Sequence, residues 1–273
     1  MGLLVTFFGV TTVHSQILSD KTLGAVQKGV KGFKFGDAEA AALSKEAVAQ
    51  MDKDNPVAGP KDPYAIRLNR IFGKHKNENG LTLNYKVYKV KDVNAFATAD
   101  GSIRVFQGLM DIMDDNELLA VIGHEIGHVA NHDTRDAIKA AYKKEALIDA
   151  AASQSGKIAQ FTDSQLAKIG NAMLDSKHSR KQETQADDFS YEFMKRNGYD
   201  VNAVESSFNI LSKMSEGAQA SFLDKMMSSH PNSKDRAEKA KKRAEKDGLY
   251  KAYVQKPIVN TTKTTKKSTK KKK

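Results

Sequence analysis

Two histidines of the chain have the spacing of residues that bind one metal ion together. His124 and His128 flank the sequence Glu125-Ile126-Gly127. On an α-helix, residues four positions apart lie on one face, one turn from each other, so both imidazoles can reach the same ion. Glu125 can then take a proton from water at the metal. The pattern predicts metal-assisted hydrolysis, and the alternative is a pair of ordinary histidines on an amphipathic helix.

A catalytic zinc site needs a third protein ligand besides the two histidines. The metzincin pattern places a histidine six residues after His128, but that residue is Thr134. His132 is the nearest spare imidazole and is predicted to lie at the surface or behind a ligand. Glu183 is the better candidate ligand, and Asp187, four residues later, could accept a ring N–H from a ligating histidine. The alternative for this acidic pair is a solvated helix face.

The residues around the two histidines predict a helix independently of the metal pattern. Asp114 or Asp115 is a suitable N-cap. Gly123 and Gly127 each cost a helix about 1 kcal/mol relative to alanine, which indicates that a substrate backbone or a packed strand approaches closely there. The apolar residues that recur at helical spacing are Leu118, Leu119, Val121, Ile122, Ile126 and Val129.

The remaining chain predicts helices around a small sheet, which is an α+β pattern. Residues 83–88 alternate as in a strand. A hairpin is predicted at Asp100-Gly101, between short apolar runs at 95–99 and 103–106. Helices are predicted at roughly 38–51, 63–72, 134–158, 163–176, 179–196, 201–214, 217–228 and 234–247.

Several motifs in one continuous order resemble the gluzincin metallopeptidases, in the branch of HtpX and the CAAX prenyl proteases, and the small soluble periplasmic members most closely. The resemblance extends from about Asp37 to Asp247. It implies a mainly helical, zincin-like α+β domain with a small antiparallel sheet beside the active-site helix. The motifs that carry it are Asn94-Ala95-Phe96-Ala97, Gly108-Leu109-Met110, the histidine helix, Glu183 to Asp187, His230-Pro231 and Arg236.

The resemblance also implies a role for each candidate residue. His124, His128 and Glu183 would hold one zinc ion per chain, with Glu125 as general base. Asp187 would accept a hydrogen bond from the free ring N–H of a ligating histidine, and His124 is the histidine expected.

Further residues that match the family motifs would act on the substrate. His230 and Arg236 would lie near the scissile carbonyl and stabilise its developing charge. The segment Asn94, Ala95, Phe96 and Ala97 would be an edge strand that pairs with the substrate backbone, and the alternative is a purely structural strand.

These assignments predict a zinc-dependent endopeptidase that cleaves unfolded or damaged envelope proteins. Two other classes of function stay open. One is a non-catalytic, zinc-binding, chaperone-like protein with the same fold. The other is a surface-binding or nucleic-acid-binding protein whose tail is the functional part.

The positive charge of the chain is concentrated at its C-terminus. The net charge is +11, and the seven lysines from Lys263 to Lys273 leave only +4 for the rest. Residues 251–273 are predicted to form a disordered lysine-rich tail because they have little apolar content. Such a tail can contact anionic surfaces weakly, and a purely solubilising role is the favoured alternative. Specific nucleic-acid binding is not predicted.

The N-terminal residues have the pattern of an export signal. The apolar run at 3–13 is too short to cross a bilayer, and Val13-His14-Ser15 offers a cleavage point. We therefore predict a signal peptide at 1–15, a linker at 16–36 and a zinc metallopeptidase domain at 37–250. A buried N-terminal strand is the alternative, since no basic residue precedes the run. The chain has no cysteine, which excludes disulfides and does not support a lipid anchor. The predicted location is the periplasm or another exported compartment, without integral membrane spans.

Overall fold

The structure is a computed structural model that describes residues 35–148, 161–217, 220–231 and 233–259, without the side chains of residues 146–148. The predicted signal peptide, nearly all of the predicted linker and residues 260–273 lie outside the described residues. The helices are α1 (Asp37–Asp54), α2 (Pro63–Phe72), α3 (Gln107–Ile112), α4 (Asp115–Ala130), α5 (Asp133–Ile148), α6 (Asp163–Leu174), α7 (Arg180–Arg196), α8 (Asn202–Ser215), α9 (Asp224–Ser229) and α10 (Ser233–Lys246), with a 3₁₀ helix at Ala220–Leu223. The strands are β1 (Asn77–Glu78), β2 (Leu81–Thr82), β3 (Asn84–Tyr88), β4 (Ala95–Ala97) and β5 (Ser102–Phe106).

Helix α4, which carries both histidines, begins with the predicted cap. The Asp114 carboxylate accepts hydrogen bonds from the backbone N–H groups of Asn116 and Glu117, and Glu117 Oε2 accepts from the Asp114 N–H at 2.8 Å. A cap of this kind typically stabilises a helix by about 1 kcal/mol. Every residue from Glu117 to Val129 is buried, so α4 is a central helix and its polar side chains must find partners inside the protein.

Two glycines let helix α7 pack directly on α4. A Cβ at Gly127 would lie 2.9 Å from Ala186 Cα, and one at Gly123 would lie 3.0 Å from an α7 phenylalanine ring. The element that approaches the two glycines is therefore a helix. The prediction of a substrate backbone or a packed strand there is wrong. Because α7 approaches so closely at Ala186, the adjacent Glu183 and Asp187 reach the histidines.

The main sheet is mixed, with strand order β3-β5-β4. The predicted hairpin is present, since β4 and β5 pair antiparallel with Ala97 opposite Ile103. Strand β3 instead pairs parallel to β5, with Val87 opposite Val105, which differs from the all-antiparallel sheet predicted. All five residues of β5 are buried, as expected for a central strand with a neighbour on each side. The alternation of side chains along β3 does not reveal whether it runs parallel or antiparallel to β5. Strand β4 is left at the edge, beside α4.

The apolar core lies mainly between this sheet and helices α4, α7 and α8. A second apolar cluster, which contains Leu43, joins α1, α5 and α6. The predicted α+β, mainly helical class is confirmed.

The described part of the predicted tail is bound to the domain. The Tyr253 hydroxyl donates to the Asp114 carboxylate at 2.7 Å, and the Lys256 N–H donates to the same carboxylate at 2.8 Å. Gln255 Nε2 donates to Glu117 Oε2 at 2.7 Å. Residues 253–256 thus lie against the start of α4, which differs from the predicted disorder, because their polar groups satisfy buried carboxylates that composition does not reveal.

Candidate metal centre

Four buried side chains from three parts of the chain meet at one point. His124 and His128 come from α4, Glu183 from α7 and His230 from the residue after α9, and one donor atom of each lies within 4.8 Å of all the others. The Nε2 atoms of His124 and His128 are 3.0 Å apart, and His230 Nδ1 lies 3.0 Å from Glu183 Oε1. Tetrahedral zinc with bonds of about 2.0–2.1 Å places its ligand atoms roughly 3.3 Å apart. The four residues therefore fit a metal ion in chemistry and spacing.

The electrostatics of the cluster favour a positive charge. Burial, together with the Arg236 guanidinium, lowers the pKa of His124 to about 3, so this imidazole is neutral and can donate a lone pair. Burial would also lower the pKa of His128, but hydrogen bonds to Asp133 and Glu183 raise it to about 9. Burial would raise the pKa of Glu183, yet the histidine partners hold it well below its usual range. The carboxylates thus stabilise the positive charge of protonated His128, as they would stabilise a metal ion bound there.

Each α4 histidine also has a carboxylate on its other ring nitrogen. His124 Nδ1 lies 2.9 Å from Asp187 Oδ1, the arrangement that the resemblance implied. His128 Nδ1 lies 2.9 Å from Asp133 Oδ2, and Gln182 Nε2 donates to Asp133 Oδ1 at 2.8 Å. Such contacts fix the tautomer and orientation of a ligating histidine. Asp133 was missed in the sequence, where its only signal is its position just after the histidine helix.

We expect Asp133→Asn to weaken metal binding about 10- to 100-fold, which is the usual effect of removing a carboxylate partner from a ligating histidine. Competition with a chromophoric chelator measures this change. Asp136→Asn, one turn further along α5 with an exposed carboxylate, is the matched control and should bind metal like the wild type. Equal affinity of Asp133→Asn and the wild type would show that His128 needs no carboxylate to orient it.

Glu125 lies beside the cluster without joining it. Its Oε1 is buried and has no hydrogen-bond partner among the residues that the structure describes, and His230 Nε2 is 3.7 Å away. Burial raises the pKa of Glu125. A carboxylate that accepts and releases a proton readily is suited to general acid–base chemistry.

A cleft runs between the edge strand β4 and the metal cluster. Ala95 and Ala97 line it on one side, and Glu125, His128 and His230 line it on the other. The predicted substrate-binding segment and the predicted general base therefore share one cavity. Asn94 and Phe96 also contribute to its lining.

Arg236 lies behind the ligands. Its Nη1 is 2.6 Å from Glu183 Oε2, an ion pair without hydrogen-bond geometry, and its Nη2 donates to Asp187 Oδ1 at 2.6 Å. The guanidinium stacks over the Phe208 ring at 4.1 Å and is absent from the lining of the cleft beside β4. In the structure Arg236 contacts these two carboxylates, and its predicted position near the scissile carbonyl stays a prediction.

Two further histidines, which belong to none of the sequence motifs, are in contact with the interior. His178 stacks on the His128 ring, with centroids 3.8 Å apart, and lines the cleft. His75 is buried, and its Nε2 lies 2.6 Å from the Tyr199 hydroxyl. Their partners are distant in sequence, so no local pattern could reveal them. His132 is exposed and pairs with Asp37, as a surface residue.

Comparison with known proteins identifies the family. The profile of Peptidase family M48 matches residues 68–244, which include all four clustered side chains. The chain belongs to peptidase family M48. It is 38% identical over 250 residues to Metalloprotease LoiP of Escherichia coli (strain K12), covering 90% of this chain and 98% of LoiP. It is also 39% identical over 218 residues to Metalloprotease YcaL of the same strain, covering 78% of this chain and 84% of YcaL.

A more distant relative matches a shorter part. Protease HtpX of Xanthomonas euvesicatoria pv. vesicatoria (strain 85-10) is 34% identical over 96 residues, a third of each chain. The predicted family and the predicted zinc-dependent endopeptidase activity are confirmed by this M48 membership. Among the described helices, none combines the length and apolar character that crossing a bilayer requires.

Proposed function

We propose that His124, His128 and Glu183 hold one zinc ion and that the M48 protease hydrolyses extended, unfolded polypeptides in the cleft beside β4. The observation that carries the proposal is the shared position of the ligand cluster, Glu125 and the edge strand. When bound, zinc supplies a Lewis acid that polarises a peptide carbonyl and acidifies water.

The residues of the chain supply the proton transfers. Glu125, with a buried oxygen facing the cluster, takes a proton from the attacking water and delivers it to the leaving amine. His230 Nε2 is 3.7 Å from Glu125 Oε1 and donates to the oxygen on which negative charge develops. Asp187 and Asp133 hold the two α4 imidazoles in the orientation that presents Nε2 to the metal.

The edge strand explains how an unfolded chain is recognised. Ala95 and Ala97 face away from β5, so their backbone groups can pair with an incoming strand. Backbone pairing depends little on sequence, and folded proteins keep most of their strands paired or covered, so few are accessible for such pairing. The substrate class is therefore extended polypeptide of varied sequence.

Hydrolysis of unfolded casein by the zinc-loaded protein tests the proposal. We expect fragments with zinc present, none after zinc removal by a chelator, and fragments again when zinc is restored. A chain that binds zinc and suppresses casein aggregation without cutting it would instead be a chaperone-like protein of the same fold.

Replacing His230 distinguishes two roles for this residue, a donor to the developing negative charge and a fourth metal ligand. We expect His230→Ala to lower the turnover of a peptide substrate about 100- to 1000-fold while zinc stays bound, because one donor to the developing charge is lost. Steady-state kinetics and metal analysis of the purified variant check this result. Loss of zinc from His230→Ala would show that Nδ1, 3.2 Å from His124 Nε2, is a required fourth ligand.

The proposed location is the bacterial envelope, where unfolded exported proteins are the substrates. The apolar run at residues 3–13 supports export. Cell fractionation of the tagged protein tests it, and a purely cytosolic product would contradict it. The lysine tail would add a weak contact to anionic surfaces, which binding to anionic vesicles at low and high salt would measure.

A further inference from the structure

The side of β4 that faces away from β5 has fewer free backbone groups than its register with β5 would provide. In an antiparallel strand, alternate residues direct their backbone groups to opposite sides. The Asn94 carbonyl accepts from a β5 amide at 3.0 Å, and Phe96 lies opposite a β5 residue in the same pattern. Val93, Ala95 and Ala97 therefore direct their backbone groups away from β5, toward the cleft side.

Two donors on that outer side are already bound within the chain. The Val93 N–H donates to the carbonyl of Phe222, in the 3₁₀ helix Ala220–Leu223, at 2.8 Å. The Ala95 N–H donates to Oδ1 of Asn94 at 2.9 Å. The first bond is a main-chain contact from a separate element, so it occupies the place that a pairing strand would need. The second bond is to a local side chain that a substrate carbonyl can replace.

The 3₁₀ helix is held in this place by the core. Leu223 is fully buried and Met226, at the start of the following helix, is also buried. Moving the Phe222 carbonyl away from Val93 would bring these apolar side chains into water, which is unfavourable. At the other end of β4, the turn at Asp100-Gly101 ends the edge.

We propose that the 3₁₀ helix Ala220–Leu223 is a specificity element that ends substrate pairing at Ala95. The inference rests on the proposed function, in which an extended chain pairs antiparallel with β4. One substrate residue pairs with Ala97, the residue two positions later pairs with Ala95, and the next in this register meets Val93, whose donor is taken. The substrate must then turn away from the sheet, which favours flexible chains over preformed strands.

Backbone N-methylation of one fluorogenic peptide, one residue at a time, tests the boundary. Each methyl group removes a single donor and blocks close pairing. Apart from the scissile amide, whose methylation alters the reacting bond itself, we expect two sensitive positions, two residues apart, where kcat/KM falls about 5- to 10-fold. Methylation two residues further toward the C-terminus should change kcat/KM less than twofold. A third sensitive position there would overturn the proposal.

A variant that loosens the 3₁₀ helix gives a second measurement. We expect Leu223→Ala to create the third sensitive position, since its anchor in the core is lost. Leu43 is equally buried in the separate α1 cluster, and Leu43→Ala should show only the two sensitive positions of the wild type. If Leu223→Ala folds but shows the same two sensitive positions as the wild type, the proposal is contradicted. If this variant does not fold, the methylated peptides tested with the wild-type protein decide the question. Absence of any cleavage by the wild type would refute the proposed function instead.

Discussion

Glu125→Gln should reduce kcat/KM for an unfolded substrate by about 100- to 10,000-fold, the range that a general acid–base group supplies. Glutamine keeps the volume of the side chain but cannot take a proton from water. The substitution leaves His124, His128 and Glu183 unchanged, so zinc content should stay equal to that of the wild type. Steady-state hydrolysis of a fluorogenic peptide, with metal analysis of the same sample, measures both quantities.

A second buried glutamate provides the control for this substitution. Glu145 on α5 is as buried as Glu125 and also has an oxygen without a hydrogen-bond partner in the described structure, but it lies outside the cleft. We expect Glu145→Gln to hydrolyse the peptide at the wild-type rate. Equal activity of Glu125→Gln and the wild type would exclude Glu125 as the base and support the non-catalytic alternative.

The sequence is sufficient to place the centre of the site because its signals are local. His124, Glu125 and His128 share one helix, so the helical period alone predicts that both imidazoles face one point. The cap was likewise predicted, at Asp114 or Asp115, and the structure shows it at Asp114, where Glu117 completes a capping box. Local hydrogen bonds and periodicity decide these features, and both can be read along the chain.

Residues that complete the site from a distance were harder to predict. Glu183 was only a candidate from its spacing to Asp187 and was assigned as a ligand through the family resemblance, because it reaches the histidines only once α7 packs on Gly123 and Gly127 of α4. Asp133 follows His132, whose φ of 64° turns the chain back so that the carboxylate meets His128. A left-handed histidine has no reliable sequence signal, since this conformation is uncommon outside glycine. The contact was therefore missed, although the two residues are only five positions apart.

The direction in which a side chain points was also beyond the sequence. The family motif includes Arg236, and a cation near a scissile carbonyl is a natural interpretation. In the fold, α10 packs against α7 and α8, and the guanidinium contacts Glu183 and Asp187, so its contact with a substrate stays a prediction. The parallel pairing of β3 was missed for the same reason, because it depends on tertiary packing around a fully buried β5.

Arg236→Met should lower the free energy of unfolding by about 3–5 kcal/mol, the usual effect of removing one partner from a buried ion pair. In the metal-free protein the substitution leaves Asp187 without its guanidinium partner and Glu183 with only His128 as a cationic neighbour, and methionine cannot compensate for their burial. Urea unfolding of the metal-free protein measures the change. Zinc should restore part of the stability, because the ion supplies positive charge beside Glu183, so the difference from wild type should shrink when zinc is added.

Arg243→Met, two turns later on α10, is the matched control. Arg243 pairs with Asp188 and Glu192 at the surface, where such pairs contribute about 0–1 kcal/mol. The two variants therefore remove the same charge from one helix in different surroundings. A stable Arg236→Met that keeps zinc but loses kcat would show that the guanidinium acts on the substrate. Loss of stability with kcat preserved in the folded, zinc-loaded fraction would establish that Arg236 positions Glu183 and Asp187.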